Sequence, residues 1–306
     1  MKILVMGGTR FVGKSLVEKL VRENHEIDIF TRGNKINPKN TSLIKGDRND
    51  KESIMQLKEK KYELIFDISG RELNQTKLLL ENIQNSFKRY IYVSSAGVYK
   101  DIEELPITEN DAIDLNSRHI GKYETENWLK IQNIPFTSFR PTYIYGPNNY
   151  NKIENWFFER IYNLKKIPIP GDGNLITQLG HVSDLTNAMI RSVNYNKAKN
   201  NIYNCSGDKG ITIKGLIYKC ADVCNIDIKD INFMYFDYKK LDLKSRKNFP
   251  IRLKHYQTSI SKIKNDLNWH PEFDLLNGLR DSFEKDYKLR INDICDFSSD
   301  KKLFNA

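Results

Sequence analysis

Short apolar runs recur through the first half of the chain, at residues 2–6, 26–30, 42–45, 63–67, 90–94 and 136–141. Runs of this length, bounded by Gly, Asn or charged residues, predict buried strands. Between them the apolar positions return every three or four residues, over 12–23, 50–60, 72–86 and 119–132. That period is the mark of helices with one buried face. After Pro147 the rhythm changes. An aromatic amphipathic pattern covers 149–166, a Gly171-Asp-Gly173 turn follows, one more core strand falls at 202–206, and helical patterns return at 211–224 and 274–289.

Strands alternating with helices imply βαβ units joined by right-handed crossovers. The expected fold is α/β, a Rossmann-type doubly wound parallel sheet with a smaller interleaved C-terminal α/β lobe. Residues 1–146 with the 202–206 strand are expected to form the dinucleotide-binding domain, and 147–201 with 207–306 the smaller lobe. No repeat and no Pro/Gly/Ser linker divides the chain otherwise.

The strongest local motif is Gly7-Gly-Thr9-Arg10-Phe11-Val12-Gly13, set between a strand and a helix. Glycines there let the backbone turn tightly against a pyrophosphate, which the free N–H groups of the helix start then hold. The candidate cofactor contacts are Gly7, Thr9, Arg10, Phe11, Val12 and Gly13. The second strand ends Phe30-Thr31-Arg32, without the acid that would bind ribose hydroxyls. Arg32 suits a 2′-phosphate, so NADP is favoured over NAD. Asp47, after Gly46, either faces the adenine or caps the turn behind the third strand.

Tyr92-Val-Ser-Ser95-Ala-Gly-Val-Tyr99 resembles the Ser-Ser-x-x-Val-Tyr motif of sugar-nucleotide epimerases, which assigns Ser95 to the reacting oxygen. That superfamily pairs it with Tyr-x-x-x-Lys. Lys122 stands at the lysine position and would also hold the nicotinamide ribose, but Arg118 replaces the tyrosine. A guanidinium stays protonated and is no general base. Tyr123 lies about 100° around the helix from Lys122 and does not substitute. His119 shares the lysine's face approximately and could titrate in the right range, but a helix-surface or interface histidine is the favoured reading.

Further motifs extend the resemblance over the whole chain: Arg140-Pro-x-x-x-Tyr-Gly-Pro147, His181-Val-x-Asp184, and Leu267-Asn-Trp-His-Pro271. Ser117-Arg-His-x-Gly-Lys122, Tyr143-Ile-Tyr-Gly-Pro-x-Asn-Tyr150, Gln178-Leu-Gly-His-Val182 and Pro271-Glu-Phe-Asp-Leu275 resemble the chloroplast stem-loop binding proteins, atypical short-chain dehydrogenases of chloroplasts and cyanobacteria. The resemblance implies RNA binding, a divalent-metal-dependent endoribonuclease activity on stem-loops, and association with ribosomal and transcription complexes. A vestigial cofactor and self-association are expected on the same ground. The alternative is an NAD(P)-dependent nucleotide-sugar epimerase or dehydratase with a substituted acid/base.

The formal net charge is +10, mostly from lysine, in a chain also rich in asparagine. The excess fits a polyanionic partner or a compositional bias equally well. It is concentrated between 229 and 264, where Lys239, Lys240, Lys244, Arg246 and Lys247 are the candidate phosphate contacts. Interleaved aromatics, Phe233, Tyr235, Phe236, Tyr238, Phe249 and Tyr256, would stack unpaired bases or pack the lobe. The four cysteines have no metal-ligand spacing and no metal site is expected from them. The chain opens directly into a strand and has no long apolar run. A protein of the cytoplasm, or of the plastid stroma in a mature plastid form, is therefore expected, with no membrane segment.

Overall fold

The computed structural model describes residues 1–83 and 87–304. Its centre is a seven-stranded sheet, all parallel. Six of the strands are β1 (Lys2–Met6), β2 (Glu26–Thr31), β3 (Ser42–Lys45), β4 (Leu64–Asp67), β5 (Arg89–Val93) and β6 (Phe136–Pro141). The strand Asn201–Cys205 completes the sheet beyond β6, in the order (201–205)-β6-β5-β4-β1-β2-β3. Every strand lies within one residue of its expected position. The order reverses at β1, between β4 and β2, which is where doubly wound sheets open a crevice at their C-terminal edge.

Both faces of the sheet are covered, so its strands read as near-continuous apolar runs rather than alternating ones. On one face α1 (Phe11–Arg22) and the helix Val182–Ser192 bury Leu16, Val17, Leu20, Leu185 and Met189 against Ile3, Val5 and Ile29. On the other, α2 (Lys51–Met55), α3 (Leu73–Leu80) and α4 (Ile120–Ile131) cover Leu4, Ile65, Tyr90 and Tyr92. The helical pattern expected over 50–60 is helical only as α2, since the following residues 56–59 turn back toward β4. The last three positions of the helix expected over 72–86 fall outside the described residues.

A second core gathers the C-terminal aromatics. Trp156, Phe157 and Phe158 on α5 (Glu154–Tyr162) pack on the helix Ile213–Cys224, on Phe236 and Phe249, and on Phe283 of Leu275–Lys285. The aromatic pattern of 149–166 thus yields a helix of nine residues. Residues 147–153 form a loop that returns toward the N-terminal glycines. No helix among the described residues is long and apolar enough to cross a membrane.

Candidate functional site

The glycine loop leaves β1 at Gly7, whose φ of +93° is open to glycine at little cost. A Cβ on Gly13 would stand 2.1 Å from the Gly7 carbonyl oxygen. The loop therefore closes only with hydrogen at that position. Arg10, the N-cap of α1, makes no side-chain cap bond, so the first-turn N–H groups stay available to an anion. These residues fit a dinucleotide pyrophosphate. Thr9 lines a groove of about 670 Å³ along α1, together with Lys14, Arg22, Lys35 and Lys39.

Phe11 and Val12 belong to the core and turn inward. The Arg10 guanidinium lies 3.8 Å from the ring centroid of Tyr150, and Lys14 Nζ donates to Asn148 Oδ1 at 3.1 Å. The 147–153 loop thus rests on the glycine loop. Thr31 is half-buried and Arg32 exposed at the end of β2. Among the described residues no carboxylate stands within 4.0 Å of Arg32. Asp47 Oδ1 accepts from Asn49 N and Nδ2, each at 2.9 Å, which is the turn-capping arrangement.

Arg48 is the feature that the sequence reading missed. Its Nη1 and Nη2 meet the two oxygens of Asp67 at 2.8 Å each, and Nη1 also reaches Ser69 Oγ at 2.7 Å. Asp67 is fully buried and further accepts from Tyr90 Oη at 2.6 Å and Gly70 N at 2.8 Å. Burial pushes this carboxyl toward its neutral form, but Arg48 and the other donors outweigh it and hold the pKa at about 2. The side chain of Arg48 ties the loop after β3 to the end of β4, across the C-terminal edge of the sheet. A signal was present: an aspartate ending the otherwise apolar strand Leu64–Asp67 requires a partner.

At the end of β5, Ser95 Oγ accepts from Gly97 N at 3.0 Å and keeps its own proton to donate. Lys122 Nζ donates to Gly70 O at 2.9 Å and to Val93 O at 2.5 Å, beneath the Tyr92 ring. Burial, only partly offset by Asp67, lowers its pKa to about 8. Its ammonium is thus turned onto the loop that follows β4 and onto the end of β5. Arg118 is exposed, and its Nε donates to His119 Nε2 at 3.1 Å.

The NAD dependent epimerase/dehydratase family model matches residues 3–206. A search of curated proteins finds the chloroplast stem-loop binding protein of 41 kDa b from Arabidopsis thaliana, 39% identical over 99% of this chain and 84% of that protein. The chain belongs to the NAD dependent epimerase/dehydratase family and, within it, to the chloroplast stem-loop binding proteins. Among solved structures, the UDP-glucose 4-epimerase of Thermotoga maritima with UDP-glucose superposes with a TM-score of 0.80 at 20% identity, covering 95% of this chain and all of that one. The Thermus thermophilus UDP-glucose 4-epimerase complex with NAD gives 0.77 at 18% identity, over 93% and 98% of the two chains. These likenesses establish the shared fold.

In this stem-loop-binding-type chain the expected RNA residues Lys239, Lys240, Lys244, Arg246 and Lys247 are all exposed. Lys240 pairs weakly with Asp237 at 3.6 Å, and Arg246 Nε donates to Leu241 O at 3.0 Å. The interleaved aromatics divide. Phe236, Phe249 and Tyr256 are core, Phe233 and Tyr238 are half-buried, and Tyr235 alone of the six is more than half exposed. A stacking platform made of all six is thereby ruled out. The basic stretch divides as well: Lys254 pairs with Asp101, Lys264 with Asp208, and Lys262 Nζ donates to Ile202 O at 3.0 Å. Among the described residues no three His, Cys, Asp or Glu side chains converge as a metal cage. A divalent ion of the kind the family resemblance implies would therefore have to draw part of its coordination from water or from substrate phosphates.

Proposed function

We propose that this chain is an RNA-binding protein on an epimerase scaffold whose redox relay has been dismantled. The carrying observation is Arg118 at the proton-donor position with its partner Lys122 turned onto Gly70 O and Val93 O. A permanent cation replaces the group that would exchange the proton, and the lysine that would poise it is engaged elsewhere. The name of the Arabidopsis relative and the exposed Lys239–Lys247 cluster support RNA as the ligand. Ribosomal or transcription complexes in the plastid stroma or cytoplasm, and a homo-oligomeric state built on α3 and α4, extend this reading.

The test is the salt dependence of stem-loop RNA binding. Each phosphate contact adds roughly 0.7 to the slope of log affinity against log salt for single strands. Replacing Lys239, Lys240, Lys244, Arg246 and Lys247 together with glutamine is expected to flatten that slope and weaken every sequence alike. An unchanged slope in a folded variant would sink the assignment of RNA to this surface.

A second reading is a nucleotide-sugar epimerase or dehydratase with a substituted acid, favoured by Ser95 and the intact glycine cradle. Gly7 to Gly13 would hold the dinucleotide, which when bound supplies a hydride acceptor, while Ser95 would orient the substrate oxygen. Arg32 favours NADP in either reading. Calorimetric titration is expected to show NADP tighter than NAD, and the reverse order would overturn the Arg32 argument.

A further inference from the structure

We infer that residues 147–151 form an autoinhibitory strap across the pyrophosphate cradle, latched by Tyr150 on Arg10, and that a dinucleotide opens it by drawing the guanidinium onto its phosphates. This rests on the glycine loop as a dinucleotide cradle and not on the RNA reading.

One buried residue roots the strap. Asn149 Nδ2 donates to Ile144 O at 3.3 Å and to Glu154 Oε2 at 3.1 Å, and its Oδ1 accepts from Asn151 N at 2.9 Å. Glu154, fully buried, in turn accepts from Gly146 N at 2.9 Å and Ser282 Oγ at 2.7 Å. The residues on either side of Asn149 are exposed. Asn148 has a φ of +64°, a conformation that asparagine tolerates better than most side chains.

Both exposed side chains fall on the first turn of α1. The Tyr150 ring centroid lies 3.8 Å from the Arg10 guanidinium, and the ring stands edge-on to Phe11 with centroids 6.2 Å apart. Asn148 Oδ1 accepts from Lys14 Nζ at 3.1 Å. Arg10, Phe11 and Lys14 are the N-cap, the first and the fourth positions of that helix, whose free N–H groups would receive a phosphate. On the far side Asn148 N donates to Asp286 Oδ2 at 3.1 Å, just past the helix Leu275–Lys285. The strap therefore joins the C-terminal lobe to the cradle.

Tyr150 and a bound pyrophosphate compete for one guanidinium. An exposed cation–π contact shifts an equilibrium roughly two- to fivefold, and charge-assisted pairs with phosphate oxygens are stronger. The latch is thus weak enough for a dinucleotide to open, and strong enough to lower its apparent affinity.

Calorimetric titration with NADP is expected to show binding roughly two- to fivefold tighter in Tyr150→Ala than in the wild type. Tyr150→Phe keeps an aromatic face for the cation and should bind as the wild type does. The Tyr150 side chain is 53% exposed, so its truncation leaves the core intact. Limited trypsin cleavage after Lys152, an exposed residue next to the strap, reads the position of the strap directly. NADP should speed that cut in the wild type. Tyr150→Ala should be cut faster without NADP. So should Asn148→Gly, which keeps the left-handed backbone and drops the Lys14 contact. Equal or weaker NADP binding in Tyr150→Ala, or protection of Lys152 by NADP, overturns the strap and leaves the cradle standing. Absence of NADP binding in both the wild type and Tyr150→Ala overturns the cradle as well.

Discussion

His119 shows how one residue carries the electrostatics of its surroundings into a pH dependence. In the folded chain the ring stays neutral to about pH 4, while the unfolded chain takes its proton near 6.5, the ordinary value for histidine. Between those values the unfolded state binds more protons, so stability falls as the pH drops through the window. Buried His181 acts in the same direction. Asp184, raised to about 6 by burial, acts in the opposite one, since its folded form protonates first as the pH falls. His119→Asn removes one histidine contribution. Between pH 7 and 5 the variant should lose about 1 kcal/mol less stability than the wild type, with allowance for a half-exposed ring. Urea unfolding at the two pH values measures this, and equal losses would mean that His119 titrates normally. The Arg118 substitution was legible because the motif fixes its place four residues before Lys122, although the structure begins α4 only at Ile120 and leaves Arg118 in the preceding turn. The approach of Arg252 to the Gly97 turn beside His119 was not, because it comes from a distant part of the chain.

At the scale of elements, the entry into α1 is the least tolerant point. The Gly13 Cβ position lies against backbone, so no flexible side chain can yield. Gly13→Ala is expected to cost on the order of 2–3 kcal/mol, as overpacking does, and to abolish dinucleotide titration. Thermal unfolding with calorimetry checks both; unchanged NADP affinity would show that the loop opens freely. Strands were read to within one residue because both sheet faces are covered and each run is wholly apolar. The aromatic pattern over 149–166 was read as longer than α5, because Tyr150 belongs to it by hydropathy while the fold spends that ring on Arg10.

At the scale of the whole molecule, the chain closes by docking its C-terminal segment. Arg160 of α5, almost fully buried, meets Asp300 with Nε to Oδ2 at 3.1 Å and stacks 3.5 Å from the Trp156 centroid. Asp300→Ala leaves that guanidinium buried and unpaired, which typically costs about 3–5 kcal/mol. Differential scanning calorimetry should show a clear fall in Tm, partly restored by adding Arg160→Met. An unchanged Tm would mean that the segment is not part of the cooperative unit.

Hydrophobic period, glycine placement and helix spacing are local quantities, and from them the sequence by itself determined the parallel sheet, the dinucleotide cradle and the missing tyrosine. What only the tertiary structure decided are the pairings between distant groups: Arg48 with Asp67 across the sheet edge, Lys122 with two backbone carbonyls, and Arg160 with Asp300. Composition counts charges, but whether a charge is solvated, paired or left facing a cleft depends on which chain segments the fold brings within a few ångströms of it.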